Sequence, residues 1–231
     1  MALFNRSTQS GLRSVQTVDY TEESLLSSHK VLRNTYMLLS MTLLFSAATA
    51  GLSIAFKLPS MGILITLVGY FGLLFLTTKL RNSGWGIVSV FGLTGFMGLT
   101  LGPIISRYLS VPGGGGIVMS AMGLTGLIFV GLSAYVLISK RDFSFMGGFL
   151  MVGVLVAFAA SLGAIFFEIP ALSLAVSAAM VLLMSGMILF ETSNIIRGGE
   201  TNYIMATVSL YITIFNLFIS LLQLLGFVDR E

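Results

Sequence analysis

The chain has 231 residues, of which 56% are hydrophobic and only 9% charged, and its mean hydropathy is +0.99. A soluble domain carries about 25% charged residues, so this composition excludes an ordinary water-soluble fold. The sequence has no cysteine, which excludes disulfides, iron–sulfur clusters and thiol catalysis, and its net charge of +3 matters through its placement.

The first 33 residues are polar and mixed in charge. They lack the basic segment and short apolar run of a cleaved leader, so they read as a retained tail, with the first apolar run as the insertion signal. A membrane-spanning helix needs about 20 mostly apolar residues. Seven such runs follow the tail: Asn34–Phe56, Pro59–Thr78, Trp85–Ile105, Gly116–Ile138, Phe145–Phe167, Ala171–Phe190 and Tyr203–Phe227. None contains Asp, Glu, Lys, Arg or His, whereas the helices of a soluble core show polar faces at helical period. The connections are short; Glu168-Ile169-Pro170 alone joins the fifth run to the sixth. The expected fold is an all-α polytopic membrane protein. Residues 1–33 form a cytoplasmic tail, 34–227 a seven-helix transmembrane bundle and 228–231 a short C-terminal end.

Lysine and arginine set the expected orientation. With the N-terminus inside, the inner segments hold Arg6, Arg13, Lys30, Arg33, Lys79, Arg81, Lys140, Arg141 and Arg197, and the outer segments hold Lys57, Arg107 and Arg230. Basic residues favour the cytoplasmic side, so the N-terminus is expected in the cytoplasm and the C-terminus on the far side. Tyr36, Trp85, Tyr108, Tyr135 and Tyr203 lie near the predicted interfaces, as aromatic belts do.

In the third run, Gly95, Gly98 and Gly102 fall on one helical face. Small residues let helix backbones approach closely in lipid, so these three are expected to pack helices together. Pro103 is expected to kink the end of the same helix. In the seventh run, Ser209, Thr213, Asn216, Ser220 and Gln223 are spaced 4, 3, 4 and 3. That spacing puts all five on one stripe. Amides are unfavourable facing lipid, so the seventh helix is expected to be central, its stripe turned into the bundle. The stripe serves either interhelical hydrogen bonding or a hydrated path or ligand cavity. Glu191 is the one acid attached to an apolar run. Its expected place is near the inner membrane boundary, either paired with Arg197, Lys79 or Arg81 or acting as a protonation-sensitive group.

Absences bound the chemistry. The only histidine, His29, lies in the tail, so no Ser/His protease site and no His-Glu-x-x-His zinc site is available. Asp19, Asp142 and Asp229 all fall outside the runs, which removes an intramembrane aspartyl protease, and no run holds a lysine for retinal. Gly113 to Gly116 lack a following Lys-Ser/Thr and are not a phosphate cradle. No catalytic residue, metal ligand or cofactor is expected, and no nucleic-acid partner.

The C-terminal third carries a resemblance. Ile188-Leu-Phe-Glu191-Thr, Asn202-Tyr203-Ile, and the stretch from Ser209 through Asn216 and Gln223 to Gly226 resemble the Bax inhibitor (transmembrane Bax-inhibitor-motif) family, as does Thr94-Gly95…Gly98…Leu101-Gly-Pro103-Ile. Arg197-Gly-Gly-Glu-Thr-Asn-Tyr203-Ile and the closing Asn216-Leu-Phe…Gly226-Phe are similar to the bacterial branch that modulates the membrane AAA protease FtsH. The resemblance implies six helices around a central seventh, a bacterial inner-membrane location and FtsH as partner. The implied role is a modulator or competing substrate that binds through its tail and bundle, the tail offering an extended segment. The alternative it implies is a pH-sensitive cation or proton leak channel. The sensor of such channels pairs an acid at the end of the sixth helix, matched by Glu191, with an aspartate in the seventh. Thr213 stands at that second position and cannot ionise. Two close carboxylates titrate as a pair; one cannot. Oligomeric state is not legible in the residues.

Overall fold

A computed structural model describes the backbone of residues 4–228 and the side chains of residues 29–227. The side chains of most of the predicted tail, and the Asp229-Arg230-Glu231 end, lie outside the described residues. Seven helices follow one another: α1 (Phe4–Ala55), α2 (Gly62–Leu80), α3 (Trp85–Leu109), α4 (Gly114–Ser139), α5 (Gly147–Phe166), α6 (Pro170–Ile196) and α7 (Tyr203–Val228). A single 3₁₀ turn, Ser144–Met146, precedes α5. All seven helices include a segment long and apolar enough to cross a membrane, at the seven predicted places. The membrane-long part of α1 is His29–Ala55. The helix itself begins at Phe4, so the tail, expected as extended chain, continues the first span as helix. Three further helices run past the predicted limits and take in charged residues: Lys79 in α2, Arg107 in α3 and Glu191 in α6.

Two apolar clusters stack along α7. One joins Leu38 and Leu39 of α1 and Val90, Leu93 and Met97 of α3 to Leu210 and Ile214 of α7. The other joins Ile117, Val118 and Ala121 of α4 and Met184 and Ile188 of α6 to Leu217, Leu221 and Leu222 of α7. Accordingly α7 packs on α1, α3, α4 and α6 and is the central helix. The ring around it is uneven. Helix α2 is held by α3, and α5 by α6 and the 3₁₀ turn. Over half of the membrane-long window of α7 is buried (56%), against 6% for α2. The exposed leucines, isoleucines and phenylalanines of α2 and α5 are the surface that lipid solvates.

The tightest pairing is α1 on α3, and the third-helix glycines face it. A Cβ built on Gly95 would meet the Phe45 ring, one on Gly98 the Ser46 carbonyl and the Thr49 hydroxyl, and one on Gly102 the Ser53 side chain. Helix α3 also continues through Pro103. Proline has no N–H to give the carbonyl four residues back, which leaves the Leu99 oxygen without its helical donor. Ser53 Oγ of α1 donates to that oxygen at 2.9 Å. A carbonyl freed in the apolar layer is thus satisfied by the neighbouring helix.

One end of the bundle is laced together by side chains. Asn202 caps α7, its Oδ1 accepting from the amides of Ile204 (3.0 Å) and Met205 (3.1 Å). Its Nδ2 donates to the Arg81 carbonyl (3.0 Å) and to Asn82 Oδ1 (2.9 Å) between α2 and α3. At the same end Ser193 of α6 accepts from the Phe143 amide at 3.1 Å and donates to the Arg141 carbonyl at 3.3 Å. This is the end rich in Lys79, Arg81, Lys140, Arg141 and Arg197.

Candidate functional site: a half-polar crevice beside the central helix

Helices α5, α6 and α7 enclose a crevice of about 580 Å³. One wall is the polar stripe of α7: Ser209, Thr213, Asn216, Ser220 and Gln223 all line it. Thr213 and Ser220 are buried, Asn216 is half-buried, and Ser209 and Gln223 are exposed. At 1.5 Å per residue the stripe runs for about 21 Å. The opposite wall is Val154, Ala157, Phe158, Ser161 and Ile165 of α5.

The floor is α6, which carries a register that sequence reading missed. Ser173, Ser177, Met180, Met184, Met187 and Glu191 all line the crevice. Their spacing is 4, 3, 4, 3 and 4, which places them on one face. The pattern was legible, but three methionines in its middle disguise it as an ordinary apolar face. Ser177 Oγ donates to Gln223 Oε1 at 2.9 Å, tying α6 to α7 at one end of the crevice.

Glu191 is buried, with 8% of its surface exposed. Its Oε1 accepts the Thr213 hydroxyl at 3.0 Å, and its Oε2, also buried, has no hydrogen-bond partner. Glu191 lies five residues before the end of α6, and Thr213 lies ten residues into α7. Of the two expected roles for Glu191, the ion pair does not form: Arg197 reaches Asp142 instead (Nε to Oδ1, 3.5 Å), the one ion pair among the described residues. A second Arg197 donor, Nη2, bonds the Lys140 carbonyl at 3.1 Å. The loop between α4 and α5 therefore takes the guanidinium that was one of the three candidate partners of Glu191. Lys79 and Arg81 form no ion pair with Glu191 either.

Asp142 stands outside the membrane-spanning segments. Hydrogen bonds from the Ser144 amide (2.9 Å) and hydroxyl, then the Arg197 charge, hold its carboxyl below the ordinary value of 3.8. A depressed carboxyl contributes stability that is complete above its unfolded value and is lost as pH falls through the folded one. Both partners are about half exposed, so the pair orders a loop more than it stabilises the bundle. Amide exchange at Phe143 and Ser144, corrected for intrinsic rates, is expected to stay constant from about pH 7 to about pH 5 and to quicken in Arg197→Gln.

A second polar cluster, also missed by sequence reading, lies on the other side of α7. The hydroxyls of Ser46 and Tyr211 are 2.6 Å apart, and Tyr211 donates to the Thr94 carbonyl at 3.2 Å. It ties α1, α3 and α7 together. Nothing in its 1-D spacing marks it, since each helix supplies one residue.

Residues 28–230 match the family model described as inhibitor of apoptosis-promoting Bax1. The chain belongs to the Bax inhibitor family. Among its relatives, the modulator of FtsH protease YccA of Escherichia coli K12 is 56% identical over 208 residues, which is 90% of this chain and 94% of the relative. The inner membrane protein YccA of Escherichia coli O6:H1 matches to the same extent. A protein of Pseudomonas aeruginosa is 56% identical over 85% of this chain and 88% of its own length. In this Bax inhibitor family chain, the residues aligned by resemblance with an acid pair, Glu191 and Thr213, do touch, but as carboxyl and hydroxyl. Glu191 is the only titratable group lining the crevice, so acid–base chemistry there has no second member. Among the described residues no group of three or more His, Asp or Glu could hold a metal ion.

Proposed function

We propose that the protein is an inner-membrane modulator of FtsH, acting by binding and not by catalysis. The observation that carries this is the 56% identity, over 94% of its length, to the Escherichia coli protein named for that role. The positive-inside rule puts the end laced by Asn202, Ser193 and Arg197 in the cytoplasm, with the N-terminal tail beside it and the C-terminus in the periplasm. The tail, Met1 to Arg33, is then where a cytoplasmic AAA protease takes hold. The close α1–α3 packing follows directly behind it in the chain. A protease that engages the tail must next part α1 from α3, which supports a reading in which the bundle resists extraction and occupies the enzyme. Deleting Met1–Val18 is expected to reduce co-purification with FtsH several-fold and to shorten the lifetime of a second membrane substrate of FtsH. Unchanged association and unchanged lifetime would defeat the reading.

One observation favours a second reading, a cation or proton leak. Glu191 has an unpartnered oxygen in a crevice that is polar along one wall. Against it, Thr213 offers no second charge. If the crevice conducts, flux into liposomes measured across a pH series falls sharply in Glu191→Gln and Asn216→Leu. Flux that is absent, or indifferent to both substitutions, removes it.

A further inference from the structure

We propose that the crevice between α5 and α7 is a binding site for a lipophilic amine: an elongated apolar molecule with one amino or ammonium group, entering from the bilayer. The proposal rests on the crevice alone and is independent of both readings above.

The hydrogen-bonding groups at the centre of the crevice are unbalanced. Thr213 uses its hydroxyl proton on Glu191 Oε1. Asn216 uses Nδ2 on the Ile212 carbonyl of its own helix, at 2.8 Å. Glu191 Oε2 is buried with no partner. Asn216 keeps a second N–H, but Glu191 is the only titratable group lining the crevice, and its second oxygen lacks a donor. A carboxylate or phosphate ligand would set a second acidic group beside it; an amine brings both a donor and the opposite charge. Arg197, the nearest cation along α6, is held by Asp142 and the Lys140 carbonyl, so a positive charge beside Glu191 must come from elsewhere. An unpaired buried polar atom is costly, and a ligand that supplies the missing donor removes that cost.

The rest of the crevice sets the body of the ligand. Its volume of about 580 Å³ lies in the range of small-molecule sites, which are mostly apolar with a few placed polar groups. Spread along the roughly 21 Å of the stripe, that volume is narrow, which suits a chain and not a ring system. Met180, Met184 and Met187 form its floor, and methionine walls adapt to chains of different shape. Ser209 and Gln223, both exposed, mark where the crevice is open.

The test uses the full-length protein in phosphatidylcholine nanodiscs and tritiated hexadecylamine, with hexadecanol and hexadecanoate as competitors and empty discs as background. The expected result is saturable binding, one per chain, displaced by neither competitor at equal concentration. Glu191→Gln keeps an oxygen for Thr213 but puts an amide donor where Oε2 was, and should weaken binding about tenfold or more, the size of one charge-assisted hydrogen bond. Ser209→Phe, at an exposed position one turn from Thr213, should block entry without disturbing Glu191, and keeps the test decisive if Glu191→Gln fails to fold. Uptake no greater than in empty discs, equal displacement by hexadecanol or hexadecanoate, or unchanged binding in the folded variants overturns the proposal.

Discussion

Replacing Gly98 with leucine is expected to destabilise the bundle by about 3 kcal/mol or more, the upper end of overpacking effects. A Cβ at this position would meet three atoms of α1, all under 3.0 Å away, and one of them is the backbone oxygen of Ser46. A flexible side chain could move aside, but a helix backbone cannot do so without parting α1 from α3. That pairing also supplies the Ser53 hydrogen bond to the carbonyl freed by Pro103, so the two losses come together. Gly123→Ala is the control. Nothing lies within 4 Å of a Cβ there, and the change should be neutral or stabilise by up to about 1 kcal/mol through helix propensity. Unfolding in mixed micelles with increasing sodium dodecyl sulfate reads both. A Gly98→Leu protein that unfolds with the wild type would refute the close α1–α3 seam. Under the proposed function, the same variant should be extracted faster by FtsH while its tail still binds.

The second large effect is expected at Thr213. Thr213→Val removes the only hydrogen bond to the Glu191 carboxyl among the described residues, whose other oxygen already has none. A whole buried carboxyl is then left without a partner, which costs about 1–3 kcal/mol. Converting the pair to Glu191→Met with Thr213→Val should recover most of that loss, because replacing both partners by apolar groups of similar shape is nearly neutral. The four proteins form a double-mutant cycle. A coupling of about 1–3 kcal/mol is expected for residues in direct contact, read from the same unfolding experiment. Additive effects would mean that the two side chains do not meet in the folded protein. The cycle separates this pair from the crevice as a ligand site, since it needs no ligand present.

The crevice and the Tyr211 cluster divide the central helix into two polar faces with different partners. Toward α5 and α6 the stripe has open positions, at Ser209 and Gln223, and an unpaired carboxyl oxygen. Toward α1 and α3, Tyr211 is buried and fully engaged with Ser46 and Thr94. Polar side chains inside a membrane protein either join helices or serve a ligand or path. Here one helix carries both kinds, about half a turn apart. The packing explains the difference: α3 and α1 press directly on α7, whereas α5 is held at a distance by α6.

By itself the sequence determined the number and place of the spans, the helical class, the central position of α7 and the family. The reason is energetic and local. In lipid each span must satisfy its own backbone hydrogen bonds, so about 20 apolar residues define a helix without help from its neighbours, and a polar stripe among them must turn inward. Tertiary structure alone decided which polar groups meet. Glu191 was expected either to pair with Arg197, Lys79 or Arg81 or to act as a protonation-sensitive group. Yet the α4–α5 loop brings Asp142 to Arg197, and α7 brings Thr213 to the glutamate. The Ser46–Tyr211–Thr94 cluster is likewise a property of helix placement, since its members come together only across interfaces, whereas the methionine-filled register of α6 lies on one helix and was legible in its spacing. Spacing along one chain reports which face a residue shares; it carries no information about which face of another helix arrives opposite.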